Sequence, residues 1–193
     1  EHDGNLRVAS TQEPDWSARR PGVSESYVTV LGERDGRLDQ MGQVGELGKT
    51  EEIRAVRFMG DIGYVVTFRQ TDPLYTIDLS DPTDPKVAGE LKILGYSAYL
   101  HPVAEGPLLG VGQDATEQGF TIGTQVALYD VSDPANPTEM QKVTLPASDS
   151  AVEHDYHAFL WWDPTSLAMI PVQSYGGGGL HPNRTTPSPP HPP

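Results

Sequence analysis

Cysteine is absent from all 193 residues. That excludes disulfides, thiolate metal sites and a cysteine nucleophile, and it leaves the redox compartment open. Positive charge is scarce, with 13 Lys and Arg against 27 Asp and Glu and a net charge of −14. Such a chain repels phosphate backbones and anionic bilayers, so nucleic acid is not an expected partner. Many of the acids stand in turn-like contexts, where Asp satisfies backbone donors, and the surplus favours solubility. Long apolar runs are also missing. The most apolar stretches, such as Ile62–Phe68, fall far short of the ~20 residues that a membrane-spanning helix needs. This segment is therefore not expected to insert into a membrane. No segment sustains a helical period.

What the chain has is a segment that occurs twice. Tyr75–Pro85 returns as Leu128–Pro137, with Asp78 mapping onto Asp130 at a spacing of 52 residues. Short strands repeating at about 40–50 residues are the signature of a β-propeller blade. Runs punctuated by Gly, Pro and Asp resolve into four strands per unit. The first unit takes Arg54–Phe58, Gly63–Phe68, Leu74–Leu79 and Val87–Ile93. The second takes Ser97–Pro102, Leu108–Gly112, Gln125–Val131 and Glu139–Leu145. Leu6–Ser10, Tyr27–Leu31 and Leu38–Leu47 read as the last three strands of an earlier blade, with 11–25 a long loop. Tyr156–Trp162 and Leu167–Val172 open a further one. The expected fold is all-β: a fragment of a β-propeller, with two complete four-stranded antiparallel blades and a partial blade at each end. The expected divisions are a partial blade with a long loop (1–52), blades at 53–94 and 95–147, a partial blade at 148–175 and a disordered Gly/Pro-rich tail at 176–193. Other blades of a longer chain are the expected intramolecular partners.

The shared Ser-Asp-Pro-x-x-Pro carries turn chemistry. Asp81 and Asp133 are placed to accept nearby backbone N–H groups, Pro82 and Pro134 preset φ, and Asp78 and Asp130 are structural residues of the same turns. Pro85 and Pro137 then open the outermost strand, where a missing donor is tolerated and edge pairing is discouraged.

These residues resemble a known family. The Tyr-x-Ile-Asp-Leu-Ser-Asp-Pro-x-x-Pro unit is similar to the LVIVD-type propeller repeat of bacterial and archaeal surface proteins. The runs Ile53–Tyr75, Gly89–Pro102, Gly110–Ala115 and Asp155–Leu160 resemble secreted proteins with a C-terminal β-propeller domain distantly related to WD40 repeats. The resemblance covers about residues 5–175. It implies a longer exported bacterial protein, extracellular or held at the cell surface by a lipid anchor. It implies no established reaction and no cofactor.

Candidate chemistry is sparse. On a strand, Asp155 and His157 would share a face, and His101 stands at a similar place one blade earlier. Together they would make a metal or proton-relay site, although the plainer reading is polar residues hydrogen-bonded between blades, and no metal site is assigned. Arg69–Pro73 and Gln113–Glu117 fall between the second and third strands of successive blades, so Arg69, Gln113 and Asp114 are rim candidates for a ligand. The plainer reading there is turn chemistry plus an inter-blade salt link through Arg57 or Arg69. Tyr96, Tyr99, Trp161 and Trp162 would stack on sugars or simply pack between blades. Gly110-Val-Gly112 and Gly176–Gly179 lack the features of a phosphate loop. Ser97 lacks the second glycine of a nucleophile elbow. The favoured function is a non-enzymatic binding or scaffolding module with its ligand or protein partner at the propeller rim or channel. The alternative is a hydrolase or lyase built from Arg57, Arg69, His101, Asp155 and His157. A purely structural spacer is the third.

Overall fold

The computed structural model describes residues 1–14, 17, 19, 22–68, 72–103 and 106–175. Arg69 and the tail 176–193 lie outside the described residues.

Three antiparallel sheets follow one another along the chain. The first joins β1 (Asn5–Gln12), β2 (Glu25–Arg34) and β3 (Arg37–Leu47). The second joins β4 (Glu52–Met59), β5 (Ile62–Phe68), β6 (Asp72–Asp78) and β7 (Lys86–Ile93) in chain order. The third repeats that order with β8 (Tyr96–Pro102), β9 (Leu108–Ala115), β10 (Thr121–Asp130) and β11 (Thr138–Pro146). The latter two are complete four-stranded blades. The first connection is shorter than expected, because Thr11 and Gln12 pair with Ser26 and Glu25.

Stacking buries the second sheet on both faces. Val65 and Ile77 pack against Val28, Val30 and Leu47 of the first sheet. Tyr64, Val66 and Leu74 pack against Leu100, Leu108 and Tyr129 of the third. This explains why β5 is apolar without alternation. The first strands β4 and β8 lie close together, while β3, β7 and β11 touch their counterparts only sparsely. The sheets therefore fan out from a hub made by their first strands, and the exposed outermost strand β11 carries the charge.

The repeated turn has the same internal geometry in both blades. Asp78 Oδ1 accepts the Ser80 N–H at 3.0 Å and its hydroxyl at 2.6 Å. Asp130 does the same with Ser132, at the same two distances. Asp81 accepts Thr83 N–H at 2.8 Å, and Asp133 accepts Ala135 N–H at 3.0 Å. All four carboxyls are held below the ordinary Asp value, chiefly by side-chain donors from Ser80, Thr83, Ser132 and Asn136. Asp133→Ala should lower the melting temperature by about 2–4 °C, as loss of a cap does in a domain of this size. An unchanged thermal scan would show that the turn does not depend on this carboxylate.

The turn also reaches outside its own blade. Each outermost strand carries a bulge at the same place, which sets Gly42, Gly89 and Gln141 opposite Val30, Thr76 and Leu128. The Ser80–Pro85 turn lies on Gly42, where an added Cβ would stand 2.7 Å from the Pro82 carbonyl oxygen. The next turn lies on Gly89, with the Pro134 carbonyl accepting the Thr76 hydroxyl.

After β11 the expected strands are reorganised. Tyr156–Ala158 is a 3-10 turn, because Asp155 caps it by accepting the His157 N–H. The strand expected over Leu167–Val172 is broken at Pro171, which lacks a donor. Its halves become β14 (Leu167–Met169), paired with β13 (Leu160–Trp162), and β15 (Val172–Ser174), paired with β12 (Ser148–Ser150). This unit covers only the hub side of the third sheet, leaving Val143 53% and Leu145 40% exposed.

Candidate functional site

The sequence candidates fall into three separate places. The first is on the hub. Tyr99 and His101 stand two apart on β8, so they point the same way, and the Tyr99 hydroxyl lies 3.3 Å from His101 Nδ1. Phe159 covers both, with ring centroids 4.8 Å from each, and Trp161 stands 5.7 Å from His101. Trp161 is oriented by its indole N–H, which donates to Asp163 at 2.6 Å. The four rings are half-buried and form a wall shared by two units. Arg57 of β4 is half-buried beside them and makes no ion pair among the described residues.

Partial burial lowers the His101 pKa first, and the Arg57 charge adds to it against the opposing pull of Asp163. An NMR titration should place the imidazole midpoint below the ordinary His value near ~6.5, Arg57→Gln should raise it, and Asp163→Asn should lower it further. The sign for stability follows from proton uptake. The unfolded chain protonates first as pH falls, so His101 destabilises the fold progressively from the ordinary His range down to its own lower pKa. A midpoint at or above the ordinary value would contradict this environment.

The second place is the β9–β10 hairpin. Residues 113–115 were expected in a loop, but they extend β9, because a bulge between Thr121 and Gly123 lets pairing continue. Only Thr116–Phe120 remains as the connection. Asp114 is 7% exposed and accepts Lys142 Nζ at 2.9 Å and the Thr144 hydroxyl at 2.6 Å. Burial pushes its pKa up, but these hydrogen bonds outweigh that and hold the carboxyl below the ordinary value. Its salt link is thus to Lys142 within the sheet and not to Arg57, while Arg69 lies outside the described residues. Gln113, also 7% exposed, donates to Glu153 at 2.6 Å and to the Ser148 carbonyl at 3.3 Å. Glu153, which is not among the sequence candidates, also accepts the Tyr96 hydroxyl at 3.1 Å and closes a capping box with Ser150. Tyr96 is not an open platform: it packs 4.6 Å from Phe68 with the Arg54 guanidinium 5.6 Å from its ring.

The third place is Asp155 and His157. They form a local pair, Oδ1 to Nδ1 2.9 Å, with side chains 62% and 73% exposed. The backbone N–H of His157 and its ring, in that order, lower the Asp155 pKa. The expected grouping of these two with His101 does not form, because the strand that would have aligned them is a 3-10 turn. Among the described residues, ligand atoms of His2, Asp3 and Asp61 do gather within 4.8 Å of one another. The largely buried Arg7 guanidinium lies 3.7 Å from Asp61, which makes this an ion-pair cluster between the first and second sheets.

Stacked antiparallel sheets fanning from a common hub define a propeller, and the chain belongs to the β-propeller domain family, whose model matches residues 1–187. Among curated proteins it is similar to an uncharacterized protein of Methanocaldococcus jannaschii, 41% identical over 175 residues that make up 91% of this chain and 26% of that one. An uncharacterized protein of Archaeoglobus fulgidus is 40% identical over 176 residues, with 91% and 26% covered. The chain spans about a quarter of the length of these relatives. Both are archaeal, where the sequence resemblance pointed to a bacterial protein.

Proposed function

We propose that this chain is a non-enzymatic binding module whose contact surface is the hub wall of Tyr99, His101, Phe159 and Trp161. The observation that carries this is the wall itself: four half-buried rings drawn from two units, with an Arg57 that has no counter-ion among the described residues. Rings of this kind stack on flat or sugar-like groups, and an unpaired guanidinium offers a fork of donors. An active site needs an acid, a base and an acceptor in one place. Here His101 has a tyrosine rather than a carboxylate as its orienting partner, and Asp155 and His157 pair with each other in solvent. The similarity to LVIVD-type and WD40-like secreted proteins supports an extracellular or cell-surface setting for the longer chain, tested by fractionating cells that express it.

The function is tested by tryptophan fluorescence quenching with a panel of oligosaccharides. Saturable quenching by at least one of them is expected, lost in Trp161→Ala and weakened in Arg57→Gln. Turnover of chromogenic ester, phosphate or glycoside substrates that disappears in His101→Ala would replace this reading with the hydrolase one.

A further inference from the structure

The repeat fixes which hub positions are equivalent. Asp78 corresponds to Asp130, so Ile77, paired with Gly63, corresponds to Tyr129, paired with Leu108. One step along, Tyr64 corresponds to Leu109, and their partners on the innermost strands are Arg57 and His101. In the unit after β11, Ala158–Trp162 repeats the pattern of Ala98–Pro102, which sets Trp161 at the same position. Arg57, His101 and Trp161 therefore form a row, one residue from each successive unit, all at one place on an innermost strand. The rings of His101 and Trp161 are 5.7 Å apart, and the Arg57 charge is felt at His101.

The row has a polarity. At one end Arg57 is half-buried and has no hydrogen bond or ion pair among the described residues. Such a guanidinium has lost part of its hydration with nothing in return, and its fork of N–H groups matches a carboxylate. In the middle, the Tyr99 hydroxyl lies 3.3 Å from His101 Nδ1. Nε2 carries a proton both in the cationic ring and in the neutral ring whose Nδ1 accepts from Tyr99, so the middle of the row is a donor too. At the other end the Trp161 indole donates to Asp163 at 2.6 Å, and the Asp163 charge opposes that of Arg57 on His101. The Arg57 end is positive and the Trp161 end negative.

We propose that the hub row selects a uronic acid, its carboxylate held by the Arg57 fork beside the His101 Nε2–H and a face of its sugar ring on Trp161. The proposal rests on the hub wall being a binding surface, and gives its ligand a charge and a direction. Asp163 repels a carboxylate from the Trp161 end and so sets that direction. The net charge of −14 repels anions at long range, so an anion that saturates this chain is held by local contacts and not by diffuse attraction. A uronate within a glycan and a free monosaccharide present the same group, and the test separates them.

The test is a tryptophan fluorescence titration of the whole chain with trigalacturonate, its neutral methyl ester, galacturonate and propionate at matched ionic strength. Trigalacturonate is expected to bind about tenfold more tightly than its ester, a difference of about 1.4 kcal/mol. Arg57→Gln should remove that difference, while Arg37→Gln on the exposed strand β3 preserves it. Saturation should also raise the His101 midpoint in NMR, because the bound carboxylate offsets the Arg57 charge. Tighter binding of the trimer than of galacturonate supports the proposal with a glycan source, and equal binding supports it with a free sugar. Equal affinity for acid and ester, equal losses in the two arginine variants, or propionate binding as tightly as galacturonate would overturn the proposal. With neutral oligosaccharides still quenching Trp161, any of these results refutes the uronate alone. No quenching by charged or neutral sugars would overturn the hub-wall reading and the uronate with it.

Discussion

Tyr129→Ala is expected to destabilise the chain by about 3–5 kcal/mol, the range for truncating a large aromatic core residue. Tyr129 is 0% exposed and is the largest fully buried side chain among the described residues. It lies in the layer between the second and third sheets with Tyr64, Leu74, Leu100 and Leu108. Gly110 faces it: a Cβ there would stand 2.9 Å from the Tyr129 ring. The ring thus fills the space that the glycine leaves open, and little can collapse into the void that alanine would create. Its hydroxyl lies 3.1 Å from the buried Ser97 Oγ. Tyr129→Phe keeps the ring and should cost only about 1 kcal/mol for the lost hydrogen bond. Domains of this kind have only about 5–15 kcal/mol in total, so the alanine variant will unfold at much lower urea. A loss below about 1 kcal/mol for Tyr129→Ala would mean that the second and third sheets do not stack through this layer.

The elements that were legible in the sequence are those specified by local rules. β5 declares itself because both its faces are apolar, and the Asp78 and Asp130 turns because each carboxylate bonds a neighbour two residues away. What was not legible depends on partners distant in sequence. Asp114 looked like a loop acid because its partners, Lys142 and Thr144, are brought across only by the register of β9, β10 and β11. The hub wall was half visible. Tyr99, His101 and Trp161 stood out by residue type, but Phe159 and the wall itself arise only where the segment after Asp155 folds back on β8. The same segment explains the misplaced grouping of Asp155 and His157 with His101. Alternation was assumed where a single capping aspartate instead starts a 3-10 turn. Glu153 gave one signal, a Ser three residues ahead of it in the pattern of a capping box, and that signal points to local structure rather than to its bonds with Gln113 and Tyr96.

Gly89→Ala and Gly42→Ala should each cost about 1–3 kcal/mol, the range for overpacking, although a strand ordinarily prefers alanine by about 0.5–1 kcal/mol. The inversion comes from the joint between blades. A methyl on Gly89 would overlap the Pro134 carbonyl oxygen and stand 2.8 Å from that of Ala135. One on Gly42 would stand 2.6 Å from the Pro85 ring and 2.7 Å from the Pro82 carbonyl oxygen. The obstacles are backbone atoms of turns braced by Asp81 and Asp133, so they cannot swing aside as a flexible side chain would. Gly22 supplies the control, since nothing lies within 4 Å of a Cβ placed there, and Gly22→Ala should leave stability within about 0.5 kcal/mol. The third sheet supplies the contrast. Gln141 occupies the glycine position and Leu128 the position of Thr76, so neither the gap nor the hydroxyl that seats a turn is present. Gln141→Gly should therefore cost no more than about 1 kcal/mol, the entropy of a glycine in a strand. If chemical denaturation ranks Gly89→Ala with Gly22→Ala, the seated turn is a bystander. If it ranks Gly89→Ala well below wild type and Gln141→Gly near it, the Ser-Asp-Pro turn is the wedge that sets one blade against the next, and the outer face of the third sheet is built to meet its neighbour by other means.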